Sequence, residues 1–255
     1  MLSDEQLLRY SRQIMLADID LAGQQALLEA SVLVVGLGGL GCPAAMYLAS
    51  SGVGHLTLVD DDLVDLGNLQ RQIAHTTDAV GSLKVSSAAR TLRAINPDVV
   101  VVPVAERLHG AALEQRVAEV DLVVDATDNF STRFALNAAC VAQQTPLVYA
   151  AAMGAEGQLS VFDSRRADSP CYRCLYSDAA EQDASCARNG VLAPLVGMIG
   201  AAQALEALKV LVGFGEPLVG RLQLLDARRM EWRQLVLPRD PQCPVCAALP
   251  GHSAR

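Results

Sequence analysis

Two cysteine pairs, Cys171-Tyr-Arg-Cys174 and Cys243-Pro-Val-Cys246, lie downstream of a glycine loop, Gly36-Leu-Gly38-Gly39-Leu-Gly41. Four thiolates on two short knuckles are the set that tetrahedral Zn²⁺ takes at a closed structural site, with no open position left for catalysis. The long separation of the pairs makes such a metal a staple between distant parts of the chain rather than the centre of a small finger. A redox C-x-x-C expects one motif near a helix N-terminus, which two pairs in loops do not match.

The glycine loop follows the apolar run Val32 to Val35 and precedes a helical pattern. There Gly36, Gly38, Gly39 and Gly41 let the backbone approach phosphate and aim free N–H groups and a helix dipole at the anion. Asp60, at the end of the next strand, can accept hydrogen bonds from ribose hydroxyls. These features alone suit NAD as well as ATP. The stretch from Asp60 through Asn68, Arg71 and Gln72, then Lys84, then Asp125-Ala-Thr-Asp128-Asn129, favours ATP with Mg²⁺. Arg71 can fork two phosphate oxygens, Lys84 supplies a point charge, and Asp128 offers oxygen to a hard cation. Lys84 and Lys209 are the only lysines in the chain, so an idle surface role for Lys84 is the weaker reading. Arg71 read alone is also a solvated loop charge or a partner of the neighbouring aspartates.

Of the remaining cysteines, Cys42 and Cys140 sit in apolar helical contexts as small core side chains. Cys186, in a polar stretch beside Arg188, is read equally as a nucleophile and as an incidental loop thiol. None of His55, His75, His109 and His252 pairs with a cysteine or serine as a readable catalytic dyad.

These residues need a scaffold of alternating strands and helices. Leucines and isoleucines at helical spacing over residues 3 to 29 predict a helical N-terminal arm. Apolar strands follow at 31–35, 55–59, 99–104, 121–125 and 147–151. Helices are expected between them, near 40–51, 82–95, 113–120 and 130–143. Such near-continuous apolar strands imply a parallel sheet covered on both faces. Beyond residue 155 the runs 157–162, 221–225 and 231–237 alternate, predicting antiparallel strands. The fold class is therefore α/β, a Rossmann-like mixed sheet whose parallel N-terminal part is extended by antiparallel C-terminal strands and stapled by zinc. A single domain over 1–255 is expected, with an arm at 1–30, a nucleotide-binding half at 31–152, a thiolate-bearing half at 153–246 and a tail at 247–255. Residues 177 to 189 read as a mobile crossover loop. The apolar stretch Val191 to Gly213, interrupted by Glu206 and Lys209, reads as a buried helix rather than a membrane span.

The formal charge of −8 argues against a general affinity for nucleic acid. A content of 51% hydrophobic and 19% charged residues leaves apolar surface for a partner subunit. The start Met1-Leu-Ser-Asp-Glu-Gln has neither the basic region nor the apolar core of a secretory signal, which predicts a cytoplasmic protein.

The chain resembles the MoeB/ThiF family, bacterial relatives of the ubiquitin-activating enzymes. The resemblance rests on Arg9-Tyr-Ser-Arg12-Gln-Ile, the glycine loop, Asn68-Leu-Gln-Arg71-Gln72, Gly81-x-x-Lys84, Ala126-Thr-Asp128-Asn129 with Arg133, the segment from Gly190, and both cysteine pairs. It implies ATP-dependent adenylation of the C-terminal glycine of a ubiquitin-like sulfur carrier ending in Gly-Gly. The molybdopterin-pathway branch looks nearest and the thiamine-pathway branch second. By resemblance, Asp60 binds the ribose, Arg71 and Lys84 the phosphates and Asp128 the Mg²⁺. Arg12 reaches across a homodimer, the segment from Val191 shapes a groove for the carrier's tail, and Cys186 matches a thiol position of the thiamine enzymes. A sulfurtransferase or cysteine desulfurase is the implied sulfur donor. An NAD-dependent oxidoreductase needs a hydride-handling acid or base that the sequence does not offer, and a nucleotide-gated scaffold leaves Arg71, Lys84 and Asp128 unexplained.

Overall fold

The computed structural model describes residues 2–176 and 190–247, so Cys186, the expected crossover loop and nearly all of the tail lie outside the described residues. One eight-stranded sheet has the order β3-β2-β1-β4-β5-β6-β7-β8. Its parallel part is β1 (Ser31–Val35), β2 (His55–Val59), β3 (Val100–Val104), β4 (Leu122–Asp125) and β5 (Leu147–Met153). The antiparallel part is β6 (Glu156–Phe162), β7 (Arg221–Asp226) and β8 (Glu231–Val236). A two-residue turn joins β5 to β6, with Gly154 at φ +61° where a side chain would be strained.

Period-two burial divides the sheet's side chains between two cores. Val32, Val34, Leu56, Leu58 and Leu122 pack on one face under α4 (Gly41–Ser50), α5 (Lys84–Ile95) and the C-terminal helix Ala193–Val212. Leu33, Val35, Val123 and Tyr149 pack on the other under α6 (Gly110–Ala118) and α7 (Phe130–Gln143). Strands buried on both faces explain the unbroken apolar runs. A one-turn helix, α8 (Tyr172–Leu175), follows the first cysteine, and Ala193–Val212 is therefore α9. By length and composition α9 could cross a membrane. Here it covers the sheet, and an alanine methyl at Gly200 would lie 2.4 Å from the Leu40 carbonyl oxygen.

The arm differs from the expected continuous helix. It is three short helices, α1 (Asp4–Arg9), α2 (Ser11–Ile14) and α3 (Asp20–Glu29). Tyr10 ends the first and caps the second, a break that hydrophobic spacing does not register. The α6 helix also begins earlier than the apolar pattern suggests, because polar and small residues supply its first turn.

Gln203, fully buried on α9, donates to the carbonyls of Asp125 (2.7 Å) and Val148 (2.9 Å) at the ends of β4 and β5. Gln203→Leu removes this donor and leaves buried carbonyls unpaired, a cost of about 1–3 kcal/mol. The expected result is a thermal midpoint lowered by several degrees at unchanged secondary structure, read by circular dichroism.

Candidate functional site

The chain leaves β1 into α4 on one face of the sheet and leaves β4 into α7 on the other, which opens a crevice at the strands' C-terminal ends. A cavity of about 700 Å³ occupies it, within the size of ligand pockets. Its wall includes Gly36, Gly38, Gly39, Asp60, Arg71, Gln72, Lys84, Asp128 and Asn129. Nine sequence-selected residues thus meet in one place.

The glycines do different jobs. Gly36 has φ +90°, and a Cβ there would stand 2.7 Å from the Ala126 oxygen. A Cβ at Gly41 would stand 1.8 Å from the Gly36 oxygen, and one at Gly39 would press on Val196. At Gly38 the nearest atom would be 3.8 Å away, so glycine there keeps room open toward the pocket. Gly41 and Asn68 stand behind the wall rather than in it. The Asn68 carbonyl accepts the N–H groups of Arg71 and Gln72, and its side-chain oxygen accepts from the Asp65 N–H.

Asp60 braces the glycine loop. One oxygen accepts the Leu37 N–H at 2.7 Å and the other the Asp62 N–H at 2.9 Å. Burial raises its pKa, opposed by those N–H donors and by Lys84. The Lys84 ammonium is buried at the first turn of α5, 2.6 Å from Asp62 and 4.0 Å from Asp60. It is therefore held by carboxylates at the pocket wall rather than standing alone. The Arg71 guanidinium donates to the Gly67 carbonyl at 3.2 Å, its one side-chain bond among the described residues. Asp128 is exposed at the rim with no hydrogen-bond or ion-pair partner among the described residues. Asn129 caps α7, its oxygen accepting the Thr132 N–H at 2.9 Å.

Several wall residues were given no role from sequence, although Arg133 stands in the motif that carries the resemblance. Arg133, buried, donates to the Thr127 carbonyl and lies over the rings of Tyr149 (5.4 Å) and Phe130 (5.7 Å). Burial opposes its charge, but Tyr149, Asp125 and Tyr172 outweigh that and raise its pKa. Gln158 accepts hydroxyl hydrogens from Tyr149 (3.3 Å) and Tyr176 (2.9 Å), which turns its amide N–H groups the other way. The available signal was a phenol within an otherwise apolar strand. His75 lies against both a cysteine and a serine without forming a catalytic dyad. Its Nε2 lies 3.2 Å from the Leu37 oxygen and 3.7 Å from Cys42 Sγ, and its Nδ1 3.1 Å from Ser87 Oγ. All three side chains are buried, with the Cys42 thiol pushed up to about 12 by that burial. This is a brace beneath the loop and not a nucleophile pair.

Arg12 is exposed on α2 and is not in the wall of its own chain's pocket.

Cys171, Cys174, Cys243 and Cys246 gather so that all four sulfurs lie within 4.8 Å of one another. Tetrahedral thiolate coordination of zinc places sulfurs about 3.8 Å apart. The closest pairs measure 3.6 Å (Cys171–Cys243 and Cys174–Cys246) and 4.0 Å (Cys171–Cys174). The backbone N–H groups of Cys171 and Asp240 point at Cys174 Sγ, and Asn137 points at Cys171 Sγ. Hydrogen bonding from Cys171, with the backbone N–H donors, lowers the pKa of the Cys174 thiol. The set has the donors and spacing of a metal centre. Cys42 and Cys140 are core side chains.

The ThiF family model matches residues 10–245. The chain belongs to the ThiF family. It is 49% identical over 245 residues to the molybdopterin-synthase adenylyltransferase of Escherichia coli K12, covering 96% of this chain and 98% of that protein. It is also 49% identical over 245 residues to the sulfur carrier protein ThiS adenylyltransferase of the same organism, covering 96% and 97%. Among solved structures, Escherichia coli MccB with ATP superposes at a TM-score of 0.81 and 25% identity, covering 94% of this chain and 74% of that one.

Gly41→Ala drives a methyl into the Gly36 carbonyl, a backbone clash that costs about 1–3 kcal/mol or displaces the loop. The expected outcome is a lowered melting midpoint together with loss of the further stabilisation by ATP, measured by thermal shift.

Proposed function

We propose that this chain transfers the adenylyl group of ATP to the C-terminal glycine carboxylate of a ubiquitin-like sulfur carrier protein ending in Gly-Gly, releasing pyrophosphate. The observation that carries this reading is the convergence of the glycine cradle, Asp60, Arg71, Lys84 and Asp128 on one cavity. The carrier is of the molybdopterin-synthase type, MoaD-like. A ThiS-like carrier is the second reading, supported by the equal 49% identity to both named relatives. Competition between the two carriers for adenylate formation decides between them. Sulfur then arrives from a sulfurtransferase or cysteine desulfurase.

The nucleophile is a carboxylate, already ionised at neutral pH, so no general base is needed. The enzyme's work is to bring two anions together and to spread charge over the departing pyrophosphate. In this mechanism the carboxylate oxygen bonds to the α-phosphorus as the bond to the bridging oxygen of pyrophosphate breaks. The loop N–H groups, Arg71 and Lys84 hold the phosphates, with Lys84 leaving or sharing Asp62, and Asp60 orients the ribose. Asp128, at the rim and unpaired, offers oxygen to Mg²⁺, which supplies further charge neutralisation when bound. Zinc fills the four-cysteine site as a structural staple. Thermal shift with ATP and Mg²⁺ against NAD separates this reading from an oxidoreductase, which predicts stabilisation by NAD.

Arg12 acts in the partner's pocket of a homodimer. Exposed Leu8, Met15 and Leu16 flank it on the arm and give the second copy an apolar face to cover.

Asp128→Ala should lose carrier-dependent exchange of pyrophosphate into ATP by on the order of a hundredfold, and Arg12→Ala should be similarly impaired. Mixed together, the two inactive variants form heterodimers with one intact site, restoring roughly a quarter of wild-type activity under twofold symmetry. No recovery on mixing would place Arg12 in its own chain's site or outside catalysis.

The purified protein should hold roughly one zinc per chain by elemental analysis, the stoichiometry of a four-thiolate site. Cys243→Ser should lose it and unfold at a lower temperature. Metal-free wild type with unchanged stability would contradict the staple.

A further inference from the structure

The motif Arg9-Tyr-Ser-Arg12-Gln-Ile contains more than the arginine that the proposed function uses. Neither α1 nor α2 buries a residue, so packing on the helices' own apolar faces does not hold this end of the arm. Polar contacts from the motif do. The Arg9 guanidinium donates to the Ile95 carbonyl at 3.3 Å. The Tyr10 hydroxyl accepts from Asn96 Nδ2 at 2.8 Å, and the same amide donates to the Ala49 carbonyl at 2.8 Å. Gln13 donates to the Gln24 side chain at 2.7 Å and to the Ser51 carbonyl at 3.0 Å. Tyr10 is 2% exposed, and a Cβ on Gly52 would lie 2.7 Å from its ring carbons, so glycine makes its seat. Arg12 has no hydrogen-bond or ion-pair partner among the described residues.

Apart from Gln24 on α3, these anchors sit at one end of α4 and α5. Ala49 and Ser51 end α4, and Ile95 and Asn96 end α5. The opposite ends of the same helices carry Gly41 and Lys84 at the nucleotide pocket. Helices of these lengths are about 15–18 Å long, so the arm is pinned a helix length away from its own glycine loop.

We propose that Tyr10, seated by Asn96 and Gly52 and flanked by the Arg9 and Gln13 contacts, is a positioning residue that aims Arg12 out of its own chain and into the partner's nucleotide site. The inference rests on the proposed role of Arg12 in the partner's site. Tyr10 touches neither nucleotide nor carrier. It fixes the backbone of α2, and the C-terminal ends of α4 and α5 transmit the pocket's own orientation to the arm that completes the neighbouring pocket.

The test uses the full-length dimer and carrier-dependent exchange of pyrophosphate into ATP. Tyr10→Phe keeps the ring and removes only the hydroxyl that bonds Asn96, and Gln13→Ala releases the other side of α2 from Gln24 and Ser51. Each should lower the rate severalfold, with ATP-induced thermal stabilisation unchanged. In an Arg12→Ala background neither should lower the rate further. Mixed with Asp128→Ala, Tyr10→Phe should recover toward the mixed Arg12→Ala control, because its working site then receives Arg12 from a chain with an intact arm. A Tyr10→Phe loss that persists in the Arg12→Ala background, or that mixing fails to recover while the Arg12→Ala control recovers, overturns the positioning role and leaves the function of Arg12 standing. An unimpaired Arg12→Ala enzyme overturns both.

Discussion

The site depends on how closely the turn after β1 packs against the turn after β4. Gly36 faces the Ala126 carbonyl, and Gly41 returns over Gly36, with no volume for a Cβ at either place. This contact fixes the first turn of α4 against the sheet and keeps its N–H groups directed into the crevice. Three contacts converge on one residue of that turn, Leu37. The Leu37 N–H goes to Asp60, its carbonyl receives the Cys42 thiol, and His75 lies against that same carbonyl. A backbone segment held from both sides can meet an anion without reorganising, which is the condition for electrostatic catalysis.

The chain is acidic, with a formal charge of −8, yet its pocket collects Arg71, Lys84 and Arg133. Like charges in a crevice are tolerable because each has a partner when no ligand is bound. Lys84 is neutralised by Asp62, while Arg71 and Arg133 rest on the carbonyls of Gly67 and Thr127. In the proposed reaction a triphosphate would exchange a carbonyl or a solvated carboxylate for its own oxygens, so the desolvation of these cations would be largely met during folding rather than at binding. Asp125 shows the opposite arrangement. Burial raises its pKa, the charge of Arg133 and the hydrogen bonds of Thr127 oppose that, and the carboxyl serves to shape the turn from which Asp128 projects.

Much of this was legible in the sequence, for identifiable reasons. The strands show as apolar runs because both faces of the sheet are covered, and the β5–β6 change to antiparallel shows as alternation. The glycine loop, Asp60, Lys84 and Asp128 are legible as a group because residue types that suit a phosphate and a cation recur along the chain, and they meet in one cavity. What was not legible depends on direction in space. Tyr10 belongs to the same helical spacing as its neighbours, and only its contact with Asn96 and Gly52 reveals a break in the arm. Arg133 lies one helical turn past Asn129, and nothing in that spacing says whether it faces solvent or the ring of Tyr149. Asp62 reads as one of three consecutive acids, although it alone closes on Lys84 at 2.6 Å.

The thiolate cluster has a part in the pocket despite its distance from the phosphates in sequence. Asn137, on the helix that begins beside Asp128, donates to Cys171 Sγ and accepts the Tyr172 N–H at 2.7 Å. Tyr172 packs on Tyr149 and Tyr176, with ring centroids 4.9 and 5.1 Å away. Tyr149 and Tyr176 in turn both bond to Gln158 in the pocket wall. A metal that sets the positions of Cys171 and Cys174 thereby sets α8, and α8 sets an aromatic wall opposite the glycine cradle. A metal held by the four thiolates would add no open coordination site to the proposed reaction; it would add rigidity to the wall beside the nucleotide cradle, the term on which a reaction without a general base most depends.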